Sequence, residues 1–274
     1  MGNVQRLCTR LANIIGADSQ ILNGTCVVFN RRTFRLTVDN VQVHDPLANF
    51  FTFEPTRKAG QTLNLGTVAV RDREITPFVN VIKRQGGIEV SAIGNNVILA
   101  NPVLNNVYLQ NVGNPITFAR KVRNALDVLP QVAKLEPPKP TRAFQLLCNR
   151  FSQIIGGSPF ISFSTTCVSI RSRSLTTTIQ GEPTESIIAI PSIFRFESPK
   201  NGIALNGGTI GVLEREVNTL LQAVRRQGGL KFSTLDRRFL FQDPQIVTLD
   251  FINKGNPLVF ARKVARIFSA LGSR

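Results

Sequence analysis

Residues 113–122 read GNPITFARKV and residues 255–264 read GNPLVFARKV, identical at eight of ten positions. Upstream, Arg84-Gln85-Gly86-Gly87 returns unchanged as Arg226-Gln227-Gly228-Gly229, also 142 positions on. Leu63-Asn64-Leu65-Gly66 answers to Leu205-Asn206-Gly207-Gly208, and Thr25-Cys26-Val27 to Thr166-Cys167-Val168. Near the start, Leu7-Cys8-Thr9-Arg10 and Ile14-Ile15-Gly16 recur as Leu147-Cys148-Asn149-Arg150 and Ile154-Ile155-Gly156. The order is kept and the offset drifts only between 140 and 142, so the chain is two copies of one domain. The expected boundaries are a first copy over 1–130, a linker over 131–140 and a second copy over 141–274. The four prolines from Pro130 to Pro140 favour an extended, stiff connection.

Each copy opens on an amphipathic helix, about 3–15 and 142–155. Val4, Leu7, Cys8, Leu11, Ile14 and Ile15 form its single apolar stripe. Arg6 and Arg10 lie on the other side, so a membrane-surface helix is the alternative to a helix packed on its own domain. Two β-rich runs follow, 25–30 and 33–38, with Asn30 to Arg32 expected to turn between them. A strand over 65–70 precedes a helix over 72–85, whose stripe is Ile75, Phe78, Val79 and Ile82 and whose cap is Gly86. Strands are expected over 88–93, 97–99 and 103–110. Asn114-Pro115 then starts a closing helix lined by Phe118, Val122, Ala125, Leu126 and Leu129. The class is α+β: two tandem copies, each a mostly antiparallel sheet with packed helices.

The 274 residues carry 33 Lys+Arg against 17 Asp+Glu, a net charge of +16. With 42% hydrophobic and 18% charged residues, the chain is too apolar for a disordered basic tail and can bury a substantial core. The charge divides into +7 on residues 1–135 and +9 on residues 141–274, so it belongs to the folded copies. Such a balance points to nucleic acid, an anionic surface or a negatively charged partner. No apolar run is long enough to span a bilayer. The first sixteen residues lack the continuous apolar core of a signal peptide, so synthesis in the cytoplasm is expected.

Cys8 and Cys148 lie on helix stripes, and Cys26 and Cys167 in strands. They are read first as buried free thiols; a helix-to-strand disulfide in each copy and intermolecular pairing are the alternatives. A single histidine, His44, removes most metal centres and most Ser–His or Cys–His pairs, so no metal or cofactor is expected. Its neighbour Asp45 makes a weak pair with no counterpart in the second copy. Gly113-Asn114-Pro115 and Gly255-Asn256-Pro257 resemble an anion-holding helix start, although Asn-Pro is also simply a good one. Arg31, Arg32 and Arg35, with Arg171 and Arg173 on one strand face, are candidate contacts for an anion or partner. Arg237 and Arg238 join that set.

The C-terminal half of each copy resembles the LppY/LpqO-like family of uncharacterised bacterial proteins. The resemblance rests on Glu216-Val217-Asn218, on Gly87-Ile88-Glu89-Val90-Ser91-Ala92-Ile93, on Pro102-Val103 and on Gly113-Asn114-Pro115. It covers about 60 residues of each copy. Where that family has His-Asn-His, this chain has Gly94-Asn95-Asn96 and Asp236-Arg237-Arg238. The polar position on the following strand looks like Gln110 and Asp250. The resemblance implies a retained fold from which a histidine site has been removed. The leading expectation is therefore a non-enzymatic structural or interaction protein, self-associating as a homo-oligomer or polymer, on a spore or cell surface. A nucleic-acid-binding protein using the arginine strands is the alternative. A metal-dependent enzyme using Glu74, Glu216, Asp236 and Asp250 comes third.

Overall fold

The computed structural model describes residues 2–22, 24–134 and 138–272. The first copy contributes α1 (Gly2–Ile15), β1 (Asp18–Leu22), β2 (Thr25–Arg32), β3 (Leu36–Val38), β4 (Val41–Val43), β5 (Ala48–Pro55), β6 (Thr62–Arg71), α2 (Asp72–Gln85), β7 (Glu89–Gly94), β8 (Ala100–Asn101), β9 (Leu104–Gly113), α3 (Pro115–Leu126) and a short β10 (Val132–Ala133). The second contributes α4 (Arg142–Ile155), β11 (Ser158–Phe163), β12 (Thr166–Ile170), β13 (Thr177–Ile179), β14 (Glu182–Thr184), β15 (Ser192–Lys200), β16 (Ile203–Leu213), α5 (Val217–Gln227), β17 (Lys231–Asp236), β18 (Gln242–Asp243), β19 (Ile246–Gly255) and α6 (Pro257–Ala270). The class is α+β, as the pattern predicts. The expected stiff linker falls partly on residues 135–137, which lie outside the described residues.

The main sheet of the first copy is ordered β1-β2-β5-β6-β9-β7, and that of the second β11-β12-β15-β16-β19-β17. All pairings are antiparallel, with β10 added beside β2. Strand alternation sends Phe51, Phe53, Val68, Val70, Val107 and Leu109 to one face, where the stripes of α1, α2 and α3 cover them. The second copy repeats this with Phe194, Phe196, Ile210, Val212, Leu249 and Phe251 under α4, α5 and α6.

The two best-matched segments of the repeat touch each other. Gly86 and Gly87 have φ of +62° and +68°, and Gly228 and Gly229 +60° and +63°, which side-chain-bearing residues rarely adopt. Lys121 Nζ donates to the Gly86 carbonyl at 2.8 Å, and Lys263 Nζ to that of Gly228 at 2.8 Å. Asn111 and Asn253 donate to the next carbonyl in each copy. The turn after the middle helix is thus held by a lysine of α3 or α6 and an asparagine of β9 or β19.

Three expectations need correction. β2 runs on to Arg32, so the turn falls at 33–35 rather than at Asn30 to Arg32. Residues 97–99 form a turn, with Leu99 at φ +59°, and the strand follows at β8. The cysteines are not free: Cys8 is bonded to Cys26 and Cys148 to Cys167, each tying the opening helix to the second strand. Apolar stripe and strand face inward together, which brings the two sulfurs into reach. The bridges join residues 18 and 19 positions apart. Closing loops of that size constrains the unfolded chain by about 3 kcal/mol. Replacing Cys8 and Cys26 by alanine should lower unfolding stability by about that amount in urea titrations. Under reducing conditions, wild type should lose about twice as much, since both bridges open.

Candidate functional site

The helix-free faces of the two main sheets are covered by each other's copy. β4, β3 and β8 form a three-stranded sheet in the first copy, and β14, β13 and β18 form its equivalent in the second. Leu36, Val38, Val43, Leu47 and Val97 of the first copy pack with Leu205 and Ile252 of the second. Reciprocally, Ile179, Ile188, Ala189 and Phe239 pack with Leu63, Leu65 and Tyr108. Each copy lays its small sheet on the other's large one.

Two equivalent carboxylates fasten this clasp. Glu197 on β15 accepts the backbone N–H of His44 at 2.7 Å and of Asp45 at 3.2 Å, and the hydroxyl of Thr166 at 2.7 Å. Glu54 on β5 accepts the N–H of Glu185 at 2.9 Å and the hydroxyl of Thr184 at 2.5 Å. Burial pushes Glu54 above the ordinary carboxylate range, against the hydrogen bonds from Thr184 and Glu185. The sequence carries their signal as Phe51-Thr52-Phe53-Glu54 and Phe194-Arg195-Phe196-Glu197, an acid kept at one position in both copies of a basic chain. His44 serves here through its backbone; its Nδ1 stands 3.6 Å from Glu197.

Between the sheets lies a largely apolar cavity of about 160 Å³. Val27, Phe29 and Phe50 line it from the first copy, and the equivalent Val168, Ile170 and Ile193 from the second. Phe160 and Phe163 add aromatic surface from β11. At one side, Arg195 Nε meets Asp45 at 2.9 Å. Burial raises the Asp45 carboxyl to about 6, with Arg195 opposing and neighbouring Glu197 reinforcing the rise. The folded chain therefore holds this proton more tightly than the unfolded one. Its contribution to stability is greatest below about pH 4 and falls as the pH rises through about 6. Urea titrations across that range should show this slope in wild type and a flatter one in Asp45→Asn.

The positions that match the histidine motif come together at the far wall. Arg238 pairs with Asp250 and, at 3.1 Å, with Asp236. Asn96, its equivalent in the first copy, donates at 3.0 Å to both Asp236 and Asp250. Tyr108 lies under the Arg238 guanidinium at 5.1 Å. Burial lifts Tyr108 above the usual phenol range despite Arg238, so it stays protonated. Burial also raises Asp236, against the pull of Arg238. For Arg238, burial acts to lower the value, but the carboxylates of Asp250 and Asp236 outweigh it and hold the cation firmly. The network is closed: two carboxylates face one guanidinium and one amide. The register also corrects the expected strand position. Thr67 faces Tyr108 and Thr209 faces Asp250, so the equivalent of Asp250 is Tyr108, not Gln110.

Gln110 instead serves the clasp, since its side chain accepts the Leu240 N–H at 2.8 Å and donates to the Leu240 carbonyl at 3.2 Å. Ser91 and Ser233, also equivalent, donate at 2.7 Å to the carbonyls of Arg238 and Asn96 across the seam.

The arginines expected on exposed strands divide. Arg32 is fully buried, its guanidinium forked onto Glu74 at 2.9 and 3.0 Å and bonded to the carbonyls of Ala69 and Pro130. Arg173 repeats this with Glu216 at 2.8 and 3.1 Å and the Gly211 carbonyl. Burial acts to raise Glu74, but Arg32 and Arg71 overcome it and bring the carboxyl down to about 2. Glu74 and Glu216 are therefore anchors of the middle helices, not candidate metal ligands. Arg171 and Arg173 lie beyond the end of β12, so they do not share a strand face. Arg171 caps the Ile155 carbonyl at 2.8 Å and lies 4.1 Å over the Phe268 ring. Arg31 lies over Phe163 at 5.4 Å, Arg237 pairs with Glu214 on the surface, and Arg35 is exposed. Arg238, locked in the network, is likewise no surface contact. The Asn-Pro helix starts are capped internally: Asn114 Oδ1 accepts the Thr117 N–H, and Asn256 Oδ1 those of Leu258 and Val259. Among the described residues, no three His, Cys, Asp or Glu side chains are grouped to hold a metal ion, and no helix is long and apolar enough to cross a membrane.

Fold and seam together define a class: a duplicated α+β protein whose two helix-backed sheets close face to face over a shared interior. The chain belongs to the family described as Domain of Unknown Function (DUF1259), whose model matches residues 9–128 and again residues 149–270. No curated protein and no solved structure matches it.

Proposed function

We propose that this chain is a non-enzymatic binding protein that holds a small apolar molecule between its two copies. The observation that carries this reading is the cavity of about 160 Å³ lined by equivalent apolar residues of both sheets. An apolar cavity of nearly this size in an engineered lysozyme stays dry and takes up benzene. Support for a non-catalytic role comes from the closed Asp236–Arg238–Asp250–Asn96 network, in which the carboxylates are occupied by a fixed cation. It stands where the LppY/LpqO-like resemblance places histidines, and on that reading the chain is a relative whose histidine site became a structural knot. Two disulfides support the cell- or spore-surface setting expected from the sequence, because reducing compartments keep thiols free.

Self-association is the second reading. One observation favours it: Phe241 and its equivalent Leu99 are 71% and 52% exposed on turns, giving the molecule two matching apolar tips. Nucleic-acid binding draws less support, since Arg32, Arg173 and Arg238 are spent internally.

Toluene tests the first reading. It should raise the melting temperature of wild type by mass action and leave Val168→Phe, which fills the cavity, unmoved. Equal response of both proteins, or of neither, would overturn it.

A further inference from the structure

The cavity's polar groups narrow what it can hold. Both arginines on its wall are already neutralised, Arg195 by Asp45 at 2.9 Å and Arg238 by Asp236 and Asp250. A charged ligand would enter without a counterion, and an unpaired charge is costly to bury. One polar atom is different. Ser162 on β11 is 8% exposed, lines the cavity, and its hydroxyl has no hydrogen-bond partner among the described residues. Buried hydroxyls are ordinarily satisfied, so an orphan one in the wall of an apolar space can be partnered by a group that enters that space. The same cavity is lined by the Phe160 and Phe163 rings of its own strand, and by Phe29 and Phe50 of the other copy. Aromatic walls favour a flat ring over a flexible chain.

We infer that the ligand is an uncharged monocyclic molecule bearing one hydroxyl or carbonyl group, placed so that this group meets Ser162 Oγ. This rests on the binding reading above and adds the chemical class. The hydroxyl of Ser162 can donate or accept, so phenols, cyclic alcohols and aryl ketones all satisfy it. The ion pairs at either side act as fixed walls that exclude anions and cations alike.

Three probes of one shape separate the outcomes: toluene, 4-methylphenol and 4-methylbenzoate, titrated calorimetrically into the full chain and into Ser162→Ala. In wild type, 4-methylphenol should bind about five to ten times more tightly than toluene, the worth of one neutral hydrogen bond. In Ser162→Ala that advantage should vanish while toluene binding persists, which also shows that the variant is folded. 4-Methylbenzoate should bind at least about tenfold more weakly than toluene. Equal binding of toluene and 4-methylphenol to wild type, or an advantage kept in Ser162→Ala, would overturn the hydroxyl assignment and leave the binding reading intact. Tightest binding of 4-methylbenzoate would overturn the uncharged class. Failure of all three probes would overturn both.

Discussion

Produced separately, residues 1–134 and 138–274 should each fail to give a folded monomer. In the intact chain Leu63 and Leu65 have no exposed surface and Tyr108 only 3%, although the groups covering them come from the second copy. Leu205 and Ile252 are covered in turn by the small sheet of the first. A lone half keeps its helices on one face of its sheet and bares the other. Each large apolar side chain uncovered forfeits about 1.5–3 kcal/mol, and domains of this size hold only about 5–15 kcal/mol in total. The buried carboxylates Glu54 and Glu197 would also lose partners across the seam. The expected result is aggregation of either half alone and recovery of a 1:1 complex on co-expression, read by size-exclusion chromatography with light scattering. Full-length protein should unfold in one transition. A soluble monomeric half with a cooperative melt would contradict this picture.

Arg32→Ala should be the most damaging single substitution in the first copy. It removes a side chain with no exposed surface that satisfies two main-chain carbonyls and both oxygens of Glu74. Breaking a buried pair from one side costs about 3–5 kcal/mol, because the remaining charge stays desolvated. Arg71 still reaches Glu74, which keeps the loss from going further. The equivalent Arg173→Ala should cost less, since Glu216 is 20% exposed against 6% for Glu74 and can be rehydrated. The double substitution Arg32→Met with Glu74→Leu should recover part of the loss, as replacing both charges removes the desolvation term. Urea unfolding of the four proteins would show the order. Equal losses for Arg32→Ala and Arg173→Ala would refute the burial argument.

The arginines show why surface chemistry was harder to read than architecture. Alternation along a strand says which side a residue faces, not what covers that side. The sequence pattern puts Arg32 and Arg173 on an exposed strand pair, yet each reaches the acid at the start of the next helix, about 42 residues on. The cysteines are similar: one on a helix stripe and one in a strand reads first as a pair of buried thiols, and the bridge is only the alternative. Only the packing angle of α1 on β2, and of α4 on β12, brings the sulfurs together. Glu54 and Glu197 were legible as a repeated acid but not as a clasp, because their partners lie more than 130 residues away.

The sequence alone determines the duplication, through segments repeated in one order, and the α+β class, the helix stripes and the glycine turns, which are encoded within each copy by local periodicity and backbone preference. Tertiary structure alone decided that the copies are not independent. Each sheet carries apolar residues on both faces, and the helices of one copy can cover only one of them. The second face is buried by the other copy, which creates the cavity and joins Asn96 to the Asp236–Arg238–Asp250 network. No local pattern can specify that arrangement, because it depends on which surfaces remain uncovered once each copy has folded.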